Sequence, residues 1–190
     1  MDTLPGTGES KRRYTLADYL RLPEGEPYQL IEGELFMTPA PTSRHQRAVV
    51  KLLRLLADWA DRLDAGEALV SPFDVVLDDA TAVQPDVLFV CKERLKIIED
   101  RCMGPPDLAV EVLSPSNAGL DRTRKLKLYA RFGVPRVWVI DCEERTFECL
   151  GLDRGAYRIE AAWTGDEVAT PPGFEGLSVP LPSLWPASQR

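Results

Sequence analysis

The sequence predicts an α/β fold in which helices flank a central mixed β-sheet, with an N-terminal hairpin and a C-terminal β extension. Two short runs, VLFV at 87–90 and LAVEVL at 108–113, are apolar almost throughout, the pattern of strands buried on both faces. Between residues 43 and 63 the apolar positions Val49, Leu52, Leu53, Leu56 and Trp59 keep a helical period. Beyond Asp141 the text alternates, over 146–152 and 157–163, in the manner of paired strands.

In chain order, residues 1–13 are polar and small enough to form a loose tail, and 14–190 are expected to be a single domain. Thr15 caps a short helix that Pro23 ends. Residues 28–37 read as a hairpin turned at Glu32-Gly33 and closed by Pro39 and Pro41. The long amphipathic helix follows, packed on a sheet, and residues 67–78 give two strand segments broken at Pro72. Residues 83–90 supply a strand, 96–103 a helical or irregular connection, and 108–113 the next strand. A helix then starts after SPSNAG, with Ser116 or Asn117 as its cap, and Gly133 stops it before a strand at 137–140. The two helices are expected on opposite sheet faces. The Pro-rich tail packs over the core through Phe174, Leu177, Leu184 and Trp185, and its apolar surface is also a candidate two-fold interface.

Composition narrows the function. No apolar run approaches the ~18 residues of a membrane span, and MDTLPGTGESKRR lacks the apolar centre of a secretory signal, so the expected address is the cytoplasm. The four cysteines have no C-x-x-C spacing, and with one histidine a zinc site is not expected; reduced structural thiols are. A net charge of −7 argues against a general nucleic-acid coat. Basic residues nevertheless cluster, with Arg122, Arg124, Lys125, Lys127 and Arg131 on one helix and Arg44, Arg47, Lys51 and Arg54 on the other. Local nucleic-acid contact and plain solvated helix faces both fit such runs.

Glu111 is the anomaly of the second apolar run, because a carboxylate in a buried strand needs a compensating cation or several donors. If the strands are adjacent, Asp86 and Glu111 point toward a shared point, and two hard oxygen ligands suit Mg²⁺ or Mn²⁺. Asp121, Lys125 and Tyr129 recur every four residues on a stripe that can face these acids, and an exposed i, i+4 pair is the alternative for Lys125. Glu34 is a candidate third acid, with an exposed hairpin carboxylate as its alternative.

Proline-aspartate before one apolar strand and glutamate within the next resemble the PD-(D/E)XK nuclease motif. The wider text TLADYLRLPEGEPYQLIEGELFMTPAP, then His45, QPDVLFV, EVLSPS, D-x-x-x-K-x-x-x-Y and GVPRVWVID resembles the Uma-two family (DUF820) of restriction-endonuclease-like proteins over roughly residues 14–184. One departure is that Leu113 stands where the general motif has its lysine. The resemblance implies a restriction-endonuclease-like core and a Mg²⁺- or Mn²⁺-dependent endonuclease acting on DNA. Asp86 and Glu111 would be its metal ligands and Lys125, moved to the helix, the third catalytic residue. It suggests a supporting role for His45 and makes a homodimer an expectation; Glu34, Gln84, Asp121 and Tyr129 are the other candidate supporting residues, and Arg44, Arg122, Arg124 and Lys127 the candidate nucleic-acid contacts. A binding or assembly module with little or no hydrolysis, or a nuclease for RNA or structured DNA, remains the alternative.

Overall fold

The computed structural model of the chain describes residues 13–23, 25–38, 40–113 and 120–185, without the side chains of 120–122. The expected loose tail at 1–12, the cap at Ser116 or Asn117, Pro39, and the side chains of Asp121 and Arg122 lie outside the described residues.

Thr15 and Asp18 form a capping box that starts α1 (Leu16–Tyr19). The hairpin of β1 (Tyr28–Ile31) and β2 (Glu34–Met37) turns at Glu32 and Gly33, both at positive φ (53° and 80°), which is the twist a two-residue hairpin turn requires. Helix α2 (Ser43–Leu63) is capped by the Thr42 hydroxyl, and Ala48, Val49, Leu52, Leu56 and Trp59 form its buried stripe.

After it come β3 (Gly66–Val70), β4 (Val75–Asp78), β5 (Thr81–Val83) and β6 (Val87–Cys91), then a 3₁₀ helix over Lys92–Ile97 and β7 (Cys102–Met103). The single strand expected at 83–90 is therefore two strands, and they belong to different sheets. Pro85 has no N–H to offer a ladder, so the chain leaves one sheet after Val83 and enters the other at Val87. The rest is β8 (Leu108–Leu113), α3 (Leu120–Arg131), β9 (Arg136–Asp141), β10 (Thr146–Asp153), β11 (Ala156–Thr164), β12 (Val168–Ala169) and β13 (Val179–Pro180).

Among the described residues the strands form a six-stranded sheet, β11-β10-β9-β8-β6-β3, a five-stranded sheet, β2-β1-β5-β4-β7, and the small β12-β13 pair. The larger sheet is mixed: β8 and β9 run parallel and the other neighbours antiparallel. Gly66 is needed at its edge, because a Cβ there would lie 2.1 Å from the Val90 carbonyl oxygen. As expected, the two helices cover opposite faces. On one face α2 packs with Val87, Phe89, Leu108, Val110 and Trp138, and on the other Leu128 and Tyr129 of α3 pack with Leu88, Val90, Ala109 and Val139. The tail closes over the α2 face. Phe174, Leu177, Leu184 and Trp185 are buried in that core, so the apolar side chains of the tail are interior, while those of the C-terminal strands include the exposed Ile159 of β11.

Candidate active site

The site forms where β6 begins beside β8. Asp86 immediately precedes β6; its N–H donates to the Val110 carbonyl (3.0 Å) and its own carbonyl accepts from Ser71 N–H (3.1 Å). Its side chain adds one more rung, with Oδ2 accepting the Val112 N–H at 2.7 Å. The β6–β8 register ends with Val87 opposite Val110, so Asp86 and Glu111 each lie one residue beyond that pair, near enough for the Asp86 charge to act on Glu111.

Strand alternation turns Val110 and Val112 toward α2 and Glu111 toward α3. There Lys125 Nζ donates to Glu111 Oε2 at 2.9 Å and the Tyr129 hydroxyl donates to Oε1 at 2.6 Å. Their spacing of four puts both on one stripe of α3, which explains why one carboxylate meets both. Lys125 is not on a solvated face: its side chain is 6% exposed and that of Glu111 12%. Burial pushes the Glu111 carboxyl from 4.5 up to about 7; the Lys125 charge pulls it down, the Asp86 charge raises it, and the Tyr129 hydrogen bond lowers it.

From the opposite face His45, in the first turn of α2, brings Nε2 to 3.2 Å from Asp86 Oδ1. Burial opposes the imidazolium, but the hydrogen bond and charge of Asp86 and the charge of Glu111 outweigh it, so the His45 pKa is raised. Its buried Nδ1 has no hydrogen-bond partner among the described residues. Asp86, Glu111, Lys125, Tyr129 and His45 therefore make one continuous polar centre spanning both faces of the sheet.

This arrangement sits within a sequence relationship that covers most of the chain. The sequence model of the Uma2 family, described as "Putative restriction endonuclease", matches residues 16–182. The chain belongs to the Uma2 family. It is 30% identical over 152 residues to the uncharacterized protein sll1609 of Synechocystis sp., a match covering 77% of this chain and 78% of that one. It also resembles the crystal structure of a protein from Anabaena variabilis titled a putative nuclease belonging to DUF820. The TM-score is 0.77 at 22% identity, covering 90% of this chain and 97% of that one, and this likeness supports the expected α/β core.

Other expected residues of this Uma2 chain lie elsewhere. Gln84 does not turn toward the acids: its N–H donates to Gln29 Oε1 and its Nε2 to Asp74 Oδ1, both at 2.9 Å, within a network that includes the Tyr19 hydroxyl and Arg101. The reason is the crossing at Pro85, which leaves position 84 with the smaller sheet. Glu34 lies on β2, 3.6 Å from the Arg124 guanidinium. Among the described residues no group of three or more His, Cys, Asp and Glu side chains is placed to hold a metal ion, so Glu34 does not join Asp86 and Glu111 in such a cluster.

The basic helix is largely engaged within the fold. Arg124 donates to the Ile31 carbonyl (3.4 Å) and lies over the Phe36 ring (4.2 Å), and Arg131 pairs with Glu32 and Asp78. Lys127 remains exposed, as do Arg47, Lys51 and Arg54 on α2, and Arg44 is paired with Glu143. Beside His45 a cavity of about 270 Å³ is lined by Thr42, Ser43, Arg44, Leu113, Cys142 and Glu143. Spacing in the sequence does not reveal Cys142 or Glu143 as neighbours of the centre. Only the parallel pairing of β9 with β8 brings their turn there.

The donor set fits a hard divalent cation. The Asp86 and Glu111 carboxylates, the second pushed toward neutrality by burial and by the charge of the first, lie beside the cationic groups Lys125 and His45. Two protein oxygens with water or substrate completing the shell suit Mg²⁺ or Mn²⁺. No helix among the described residues is long and apolar enough to cross a membrane.

Proposed function

We propose that this Uma2 protein is a metal-dependent endonuclease that hydrolyses phosphodiester bonds in DNA. The reading rests on one observation: Asp86 and Glu111 each lie one residue beyond the last β6–β8 pair, the charge of one acts on the other, and the Lys125 ammonium is 2.9 Å from Glu111. Asp86 and Glu111 would hold Mg²⁺ or Mn²⁺, which supplies Lewis acidity toward phosphate oxygens and water.

The chain's own groups do the rest. Val112 N–H and His45 Nε2 hold the Asp86 carboxylate from two sides, and the Tyr129 hydroxyl fixes the Glu111 carboxylate. Lys125 answers the negative charge that develops on the phosphoryl oxygens as water attacks phosphorus in line. The attacking water gives up its proton to solvent, the bond from phosphorus to the leaving oxygen breaks, and that oxygen takes up a proton from solvent. The helix-borne lysine replaces the strand lysine that Leu113 displaces. In a centre this shielded, one positioned donor contributes on the order of 3–4 kcal/mol to the barrier.

Purified protein incubated with supercoiled plasmid and Mg²⁺ or Mn²⁺ is expected to nick it, and Asp86→Ala or Glu111→Ala to abolish nicking. Equal nicking by the double variant would remove the reading. A second reading, a nuclease-fold module that binds or assembles without cutting, is favoured by the buried Lys125–Glu111 pair and the net charge of −7. A stable, folded wild type that neither binds Mn²⁺ nor nicks would select it. The same centre would serve RNA or structured DNA, and substrate competition distinguishes these.

A further inference from the structure

The cavity is lined by His45, which contacts Asp86, and otherwise by groups that the hydrolytic centre does not use. At one rim stands Arg44, in the first turn of α2; at the other stands Glu143, just after β9. The two side chains form an ion pair across the opening, at 41% and 52% exposure. Glu143 is placed there by a turn in which Asp141 Oδ1 accepts the N–H of both Glu143 (2.9 Å) and Glu144 (3.0 Å). His45 also lines the cavity, and its Nε2 lies 3.2 Å from Asp86 Oδ1, so the space borders the acid pair through that side chain. At about 270 Å³ it falls below the ~300–1,000 Å³ of pockets that enclose drug-sized ligands.

We propose that this cavity takes the phosphate adjacent to the one cleaved, bound by Arg44, and that the Glu143 carboxylate is an internal competitor that holds Arg44 until the substrate arrives. The inference rests on the phosphodiesterase reading for its ligand. Its physical content is an exchange of one anionic partner of Arg44 for another. A carboxylate and a phosphate oxygen are alternative acceptors for the same guanidinium fork. The site therefore discriminates against small neutral molecules, and its occupancy falls with salt.

Two probes test it on the full chain. With inorganic phosphate, the melting temperature of Glu143→Gln is expected to rise more than that of wild type, whereas Arg44→Gln and the double variant show no rise. With a short DNA duplex, Glu143→Gln is expected to bind about two- to fivefold tighter, the size of a surface ion pair. Arg44→Gln should lower the salt slope of log affinity by about one. Three results overturn the proposal: wild-type affinity in Glu143→Gln, an equal gain in an Arg44→Gln background, or an equal gain from Glu144→Gln, which removes a neighbouring charge outside the cavity. If the duplex is neither bound nor cut while phosphate still separates the variants as described, the nuclease reading fails and the anion cavity stands. If the duplex is cut while phosphate separates none of them, the cavity proposal fails and the nuclease reading stands.

Discussion

At the scale of single residues the site is governed by how one buried carboxylate is charged. Glu111 has an ordinary value of 4.5 and stands near 7 in the fold, so without a cation the folded chain holds more protons than the unfolded chain between those values. Its contribution to stability is full below about 4.5 and is lost as pH rises through about 7. Denaturant midpoints measured in EDTA across that range are expected to fall with rising pH, and Glu111→Gln to flatten the fall. An unchanged slope in that variant would assign the dependence to other groups, His45 first. Tyr129→Phe removes a hydrogen bond that favours the ionised carboxylate, so the Glu111 midpoint followed by carboxyl NMR is expected to move further up. A fixed midpoint would contradict the role given to the phenol. Glu111 and Asp86 stood out in the sequence because a charge inside or beside an apolar run has few cheap explanations, whereas Lys125 was read from its four-residue spacing with Asp121 and Tyr129, which fits an exposed helix pair equally well. Gln84 was not legible, because its orientation depends on which sheet the chain is in at that position, and sequence does not state that.

At the scale of elements, α3 is held to the sheet by more than apolar contact. With Lys125 and Glu111 at 6% and 12% exposure, the pair belongs with buried ion pairs, not with surface pairs worth about 0–1 kcal/mol. Lys125→Met should therefore cost about 3–5 kcal/mol, because it strands a buried acid, and adding Glu111→Gln should recover most of that loss. Chemical denaturation of the two variants checks this, and a loss in Lys125→Met below about 1 kcal/mol would mean the pair is solvated. Both helices and most strands followed from periodicity. Helix α2 occupies the predicted span, Ser43–Leu63, because its apolar stripe is unbroken. The split of β5 from β6 was not foreseen. Val83 and the residues after Asp86 are equally apolar, and Pro85 was the one local sign of a break.

At the scale of the whole molecule, the C-terminal segment is a component of the core. Phe174 lies 5.1 Å from the Trp59 ring, 5.7 Å from Phe89 and 4.8 Å from Trp138, joining α2, β6 and β9. Phe174→Ala should destabilise by about 3–5 kcal/mol in equilibrium unfolding, and a loss under about 1 kcal/mol would show a tail that merely rests on the surface. The α/β class and the two-faced sheet were readable from apolar patterning, whereas the second sheet was not. Its hairpin, β1–β2, was read from the turn at Glu32-Gly33, but the pairing of that hairpin with β5, β4 and β7 joins short segments far apart in the chain, which local pattern does not state. Charge is distributed with the same economy: Arg124 and Arg131 tie α3 to the hairpin, while Arg47, Lys51, Arg54 and Lys127 stay exposed. The central claim is that Asp86 and Glu111 share one divalent cation beside Lys125. Calorimetric titration of Mn²⁺ into the folded wild type, Asp86→Asn and Glu111→Gln tests it most directly. One site in the wild type, lost in either variant, is the expected result; Mn²⁺ binding of equal strength in all three folded proteins would contradict it.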